Sequence, residues 1–206
     1  MANEKNYDVV IIGSGPGGYV SAVRAAQLGM RVACIENDTR LGGVCLNVGC
    51  IPSKALLDSS EYYHLAKDQL AAHGIKTGRV SLDLATMMAR KEKVVQELTE
   101  NVRKLLEGHK IDIIHGTARL AGSDRIEISQ NDSASNKTGY LSLQPKAIVL
   151  ATGGEPVSLP GLEFDGRHLI SSRDSLTVDT VANKLGIVGG GYFVLELGSV
   201  WLRLGA

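Results

Sequence analysis

The sequence predicts an α/β fold: a three-layer arrangement around a parallel sheet, with an antiparallel β excursion, followed by the start of a second unit of the same kind. Three observations lead there. Two apolar runs, Tyr7 to Ile12 and Lys184 to Val188, each stop at a cluster of glycines that opens a helical pattern. A third run, Ala147 to Leu150, reads as another buried parallel strand. Glycine accounts for 24 of 206 residues, well above the roughly 7% of average proteins, and its clustering suggests backbone brought close to a ligand.

The first strand runs from Tyr7 to Ile12 and ends at Gly13-Ser14-Gly15-Pro16-Gly17-Gly18. Ala-rich residues from Tyr19 to Leu28 then read as a helix closed by Gly29, and Arg31 to Ile35 as a second strand that delivers Glu36 at its end. This is the Rossmann-like pattern of a dinucleotide site. Gly13 makes the tight turn, Gly15 admits a pyrophosphate to the backbone, and Gly18 lets the helix pack on the strand. The helix N-terminus presents N–H groups to phosphate, and Glu36 can accept hydrogen bonds from a ribose diol. A glycine-rich turn without ligand is the bland reading, but strand, helix and acid stand in the register the motif requires. The glycines alone do not separate FAD from NAD.

Next comes Leu41-Gly42-Gly43-Val44-Cys45-Leu46-Asn47-Val48-Gly49-Cys50-Ile51-Pro52-Ser53-Lys54. Cys45 and Cys50 are five apart, so they do not share a face of a regular helix, and bridging them needs a locally distorted turn. Gly49 supplies backbone freedom, and Pro52 suits the first turn of a following helix. Thiols at a helix start favour the thiolate that exchange chemistry needs. Two buried small hydrophobes, or zinc ligands, are the alternatives; against zinc, His64, His73, His109, His115 and His168 are scattered singly. Cys34, alone in the second strand, reads as packing.

On GSGPGGY at 13 to 19, Glu36 and LGGVCLNVGCIPSKAL at 41 to 56, the chain resembles the class I pyridine nucleotide-disulfide oxidoreductases, and within them the dihydrolipoyl dehydrogenases. The likeness runs through nearly the whole chain. It implies that the first nucleotide is FAD, with a Cys45–Cys50 redox disulfide beside its isoalloxazine ring. Cys45 matches the thiol that exchanges with dihydrolipoamide, and Cys50 the thiol next to the flavin. Lys54 matches a lysine near flavin N5, and Gly43 lies in the glycine approach to the cysteines. The implied partners are lipoyl domains of 2-oxoacid dehydrogenase complexes or of the glycine cleavage system, with the parent enzyme a homodimer. A glutathione- or mercuric-reductase-like enzyme is the alternative within the family.

Residues Leu84 to Leu106 carry an apolar helical stripe that ends at Gly108, with Met87 and Met88 as core gap-fillers. Strand-like runs at Ile111 to Ile114, Arg125 to Ser129 and Tyr140 to Leu143, with a polar turn from Asn131 to Gly139, form the antiparallel excursion. By resemblance, Gly116-Thr117-Ala118 touches the adenine end of FAD, through Gly116 and Ala118. Ala151-Thr152-Gly153 resembles a motif that returns to the FAD site, through Thr152 and Gly153.

Domain boundaries are therefore expected at 1–153 for the FAD-binding domain and 154–206 for a connection and the opening of an NAD-binding domain. There Gly189, Gly191 and Glu196 match the second nucleotide motif, with Glu196 paired to Lys54 and Tyr192 over the nicotinamide pocket. The third glycine position is Val194, whose extra methyl groups would hold helix and strand apart. The family's His-Glu acid/base pair has no counterpart in these residues, so the chain by itself is expected to be an FAD-binding piece without turnover.

Composition narrows the remaining classes. Twenty-two Lys+Arg balance 22 Asp+Glu, which leaves no positive field for nucleic acid or an acidic membrane. No apolar run reaches the 18 or so residues of a bilayer span. Met1 to Asn6 lack the features of a leader, and three cysteines are too few for a disulfide framework, so a reducing cytoplasm is expected.

Overall fold

A computed structural model describes residues 6–132 and 137–206. The centre of the polar turn expected between Asn131 and Gly139 lies outside the described residues, as do the first five residues of the N-terminal segment. The chain divides into two compact units, residues 1–47 with 97–154 and residues 48–96 with 155–206.

In the first unit the strands are β1 (Val9–Ile12), β2 (Val32–Glu36), β3 (Asp112–His115), β4 (Thr117–Leu120), β5 (Ile126–Asp132), β6 (Lys137–Leu143) and β7 (Ala147–Leu150). A four-stranded parallel sheet has the order β3-β2-β1-β7, and β4-β5-β6 form a separate antiparallel sheet. Every residue of β1 and β2 is buried, which is why both read as unbroken apolar runs rather than alternating ones. Val10, Ile12, Ala33, Ile35 and Ile114 pack with Ile126, Ile128 and Leu143 of the antiparallel sheet in one core. Of these, the fully buried Val10, Ile35, Ile126 and Ile128 each contribute about 1.5–3 kcal/mol.

Two strand assignments differ from expectation. The run Ile111 to Ile114 belongs to the parallel sheet as β3, with Ile113 opposite Cys34. A strand that enters the sheet after a helical crossover runs parallel to its neighbour. The third antiparallel strand is instead β4, whose mostly exposed residues Thr117–Leu120 carry no apolar pattern.

Helix α1 (Pro16–Gln27) starts with proline in its first turn, after Gly15 in extended conformation, and Gly29 (φ +82°) follows its end. Its buried residues are Gly18 and Ala22, one turn apart, so small side chains set a close approach. A short helix α2 (Gly43–Val48) follows β2.

The second unit contains α3 (Cys50–His64), a π turn Leu65–Gln69, 3-10 turns Leu70–His73 and Asp174–Leu176, and α5 (Tyr192–Leu204). Leu56, Met87, Leu176, Leu197, Val200, Trp201 and Leu204 form its core, so Met87 fills core space as its spacing predicts. Helix α4 (Leu84–Gly108) has residues in both units. Asp83 caps it by accepting from the Thr86 amide and hydroxyl, bonds that hold the exposed carboxyl below its ordinary pKa.

The strand expected at Lys184 to Val188 is absent. No strand is formed there, and Leu185, Ile187 and Val188 are exposed. A strand needs a neighbour to take its N–H and C=O groups, and among the described residues none pairs with this segment.

Candidate functional site

The glycine turn after β1 is built by backbone crowding. Gly13 (φ +102°) lies so close to the Ala151 carbonyl that any Cβ there would overlap it, and a Cβ on Gly18 would overlap the Gly13 carbonyl. Thus α1 starts where it does because neither residue carries a side chain. Gly15, extended and without a side-chain cap, is the N-cap. Gly43 (φ +59°) faces it so tightly that a Cβ on Gly43 would come within 2.7 Å of the Gly15 Cα. The pair leaves a helix N-terminus bordered by backbone alone, which fits the pyrophosphate of a dinucleotide.

Glu36, only 6% exposed, stands at the end of β2. One carboxylate oxygen accepts from the Ser14 amide at 2.9 Å and the Ser14 hydroxyl at 2.5 Å; the other accepts from the Asn37 and Asp38 amides at 2.8 and 3.0 Å. Four donors make a buried carboxylate tolerable and fix its plane. Gly116 donates its amide to the Glu36 carbonyl at 2.8 Å, and Ala118 follows on β4, so the segment expected at the adenine end adjoins Glu36. The Ala151 amide donates to the Ile12 carbonyl at 2.8 Å, which carries Thr152 and Gly153 (φ +75°) out from beside Gly13.

The cysteine segment is two helices rather than one distorted turn. Cys45 lies within α2, and Cys50 is the first residue of α3 after the N-cap Gly49 (φ −138°, ψ −117°). Only Cys50 therefore begins the long helix. Neither thiol is in a disulfide, and both are half-buried. Asn47 secures α2 by donating to the Leu41 and Gly43 carbonyls, both at 3.0 Å. Pro52 is buried in the first turn of α3.

In the second unit Lys54 Nζ meets both Glu196 oxygens, at 2.5 and 2.6 Å. Ser53, fully buried, places its Oγ 3.3 Å from Glu196 and 3.0 Å from the Cys50 carbonyl. A cation is thus held four residues beyond Cys50 by a carboxylate from α5. At the second glycine turn Gly191 is the extended N-cap of α5, and Gly189 (φ +112°) has Val194 Cγ2 at 4.0 Å from a Cβ position, ordinary contact. The crowding expected at Val194 falls instead at Gly198, where a Cβ would come 2.7 Å from Ile187 Cδ1. Tyr192 is 71% exposed and meets Phe193 edge to face.

Among the described residues no cluster of three or more His, Cys, Asp or Glu could hold a metal ion, and no helix is long and apolar enough to cross a membrane. Sequence reasoning missed Ser14, Ser53 and Gly198. Ser14 occupies a variable position of the glycine motif, and the partners of the other two are more than 140 residues away for Ser53 and 11 for Gly198.

Comparison with known proteins gives the family. The family described as "Pyridine nucleotide-disulphide oxidoreductase" matches residues 7–206. A leghemoglobin reductase of Vigna unguiculata is 45% identical over 97% of this chain and 37% of its own. Dihydrolipoyl dehydrogenase 3 of Pseudomonas putida is 47% identical over 98% of this chain and 42% of its own. Mitochondrial dihydrolipoyl dehydrogenase 1 of Arabidopsis thaliana is 45% identical over 97% and 38%. Among solved structures, the HOCl-induced flavoprotein disulfide reductase RclA from Escherichia coli superposes with TM-score 0.77 at 28% identity, over 97% of this chain and 40% of that one. The chain spans about two-fifths of the length of these relatives. With a Rossmann-like glycine turn, a buried acid at the end of β2, Cys45 in α2 and Cys50 at the start of α3, the chain belongs to the pyridine nucleotide-disulphide oxidoreductase family.

Proposed function

We propose that this chain is the flavin- and thiol-bearing part of a dihydrolipoyl dehydrogenase. In that reaction the dithiol of dihydrolipoamide gives two electrons, by way of the Cys45–Cys50 pair and FAD, to NAD⁺, which takes a hydride while a proton is released. The observation that carries the reading is the segment LGGVCLNVGCIPSKAL at 41 to 56, which holds Cys45, Cys50 and Lys54. Residues 1–153 act as the FAD-binding domain and 154–206 open the NAD-binding domain. The protein works as a soluble cytoplasmic homodimer on lipoyl domains.

Bound FAD would supply the two-electron carrier between thiols and nicotinamide. The chain's own residues do the rest. Gly13, Gly15, Gly18 and Gly43 leave backbone room for the pyrophosphate at the α1 N-terminus; Glu36 is the acid for the adenosine ribose; Gly116, Ala118, Thr152 and Gly153 border the same nucleotide. Substrate thiolate attacks the Cys45 sulfur of the Cys45–Cys50 disulfide, which breaks that bond and forms a mixed disulfide. The second substrate thiolate then displaces Cys45, leaving lipoamide oxidised and both protein thiols reduced. Cys50 would be the thiol nearer the flavin, and Lys54, held by Glu196, would supply positive charge to the electron-rich ring. Gly189 and Gly191 receive the second nucleotide.

The test is a substrate panel on the full-length flavoprotein. Dihydrolipoamide should reduce NAD⁺ rapidly, and Cys45→Ser or Cys50→Ser should lower the rate at least 1,000-fold with flavin content retained. Turnover of oxidised glutathione with none of dihydrolipoamide would overturn the substrate; full activity in either serine variant would overturn the thiol roles.

A further inference from the structure

We propose that Ser14, the unspecified residue of the glycine turn, is a positioning residue that ties the ribose-binding acid to the start of the cysteine segment. Its side chain is fully buried. The hydroxyl proton goes to Glu36 Oε2 at 2.5 Å, and the Ser14 amide donates to the same oxygen at 2.9 Å. With its proton spent on Glu36, the hydroxyl oxygen accepts the Gly42 amide at 3.0 Å, and the Ser14 carbonyl shares that N–H at 3.2 Å.

A hydroxyl has one donor and two acceptor positions, so a single atom closes this chain from carboxylate to Gly42 amide. Such chains polarise in one direction: an anionic Glu36 strengthens the pull on the Ser14 proton and makes Oγ a better acceptor for Gly42. Gly42 (φ +96°) and Gly43 (φ +59°) are the left-handed residues from which α2 and Cys45 depart. Holding Gly42 thereby holds Gly43 against Gly15 and sets where α2 begins. All these residues belong to the first unit. Gly13 cannot substitute, because a side chain there would strike Ala151.

Ser14 therefore acts through Glu36 and Gly42 and needs no contact with a nucleotide of its own. The nucleotide half of the inference rests on the FAD reading above; the Gly42 half does not. The expected consequence is that the dinucleotide and the cysteine segment are linked: whatever loosens Glu36 exposes the Gly42 amide.

The test measures FAD affinity of the apoprotein and hydrogen exchange at Gly42 in the full-length protein. Ser14→Ala should weaken FAD about 10-fold and speed Gly42 exchange by a similar factor, while Ser14→Thr, which keeps the hydroxyl, restores both. In a double-mutant cycle with Glu36→Gln the affinity losses should be strongly non-additive, because removing either partner breaks one chain. A general packing defect would instead add to the Glu36→Gln loss and would not be cured by threonine. Should the alanine variant fail to fold, Ser14→Cys fills the same space with a weaker donor and should give intermediate values. Unchanged Gly42 exchange in the alanine or cysteine variant overturns the tie to Gly42, and additive affinity losses overturn the tie to Glu36. A wild-type protein that binds no FAD defeats the functional reading, while the exchange measurement still decides whether Ser14 holds Gly42.

Discussion

The Gly13 carbonyl fills the space that a Cβ on Gly18 would occupy. Backbone cannot swing away as a side-chain tip can, so Gly18→Ala must push α1 off β1. Overpacking of this kind costs about 1–3 kcal/mol, against which alanine's helix propensity returns about 1 kcal/mol. A net loss of up to about 2 kcal/mol in urea unfolding is expected, with FAD retention reduced. An unchanged midpoint would show that the helix is not seated on this contact.

Gly198 on α5 provides the control. There the atom in the way is Ile187 Cδ1, the end of a side chain that is 48% exposed. Rotation relieves the clash, so Gly198→Ala should change stability by less than about 1 kcal/mol in either direction, helix propensity offsetting the adjustment. A loss as large as that at Gly18 would mean Ile187 is pinned.

Cys34 makes stability depend on alkaline pH. Burial, with Glu36 nearby, pushes its thiol up to about 12. An unfolded chain ionises this thiol near pH 9, the folded protein only near 12, so between these limits the unfolded state binds fewer protons and stability falls as pH rises. The contribution is complete below pH 9 and declines by up to about 1.4 kcal/mol per pH unit above it. Urea midpoints from pH 8 to 11 should fall less steeply in Cys34→Ala than in wild type; parallel slopes would refute the assignment. Alkylation at pH 8 should label Cys45 and Cys50 and spare Cys34.

The Lys54–Glu196 pair should matter little to stability. Lys54 is half-exposed, and solvent screening limits such a pair to about 1 kcal/mol or less. Glu196→Gln should therefore leave the unfolding midpoint nearly unchanged while altering the flavin reduction potential, read by dye equilibration. A large stability loss with an unmoved potential would make the pair structural.

The parts legible in the sequence are those whose cause is local. β1, α1 and β2 follow from an apolar run, a glycine turn and a small-residue helix face, and α4 from its stripe. β4 was illegible because Thr117–Leu120 is mostly exposed and owes its strand to pairing with β5. The reverse error occurs at Lys184 to Val188, where apolar composition suggests a strand but, among the described residues, no strand pairs with it. The helix break at Gly49 separates Cys45 from Cys50 through an unusual backbone angle that residue spacing does not encode. At the nucleotide turn, glycine positions were readable, but Ser14's bonds to Glu36 and Gly42 require knowing which chain segments return to the turn.

The pairing of β1 with β7 has a temporal consequence. Ile11 lies opposite Val149, so the turn at Gly13 acquires its wall at Ala151 only once synthesis has passed β7. Closing so long a loop makes contact formation slow. During synthesis the glycine turn precedes its own supporting wall, and a nascent chain ending before β7 would expose the β1 edge to other chains.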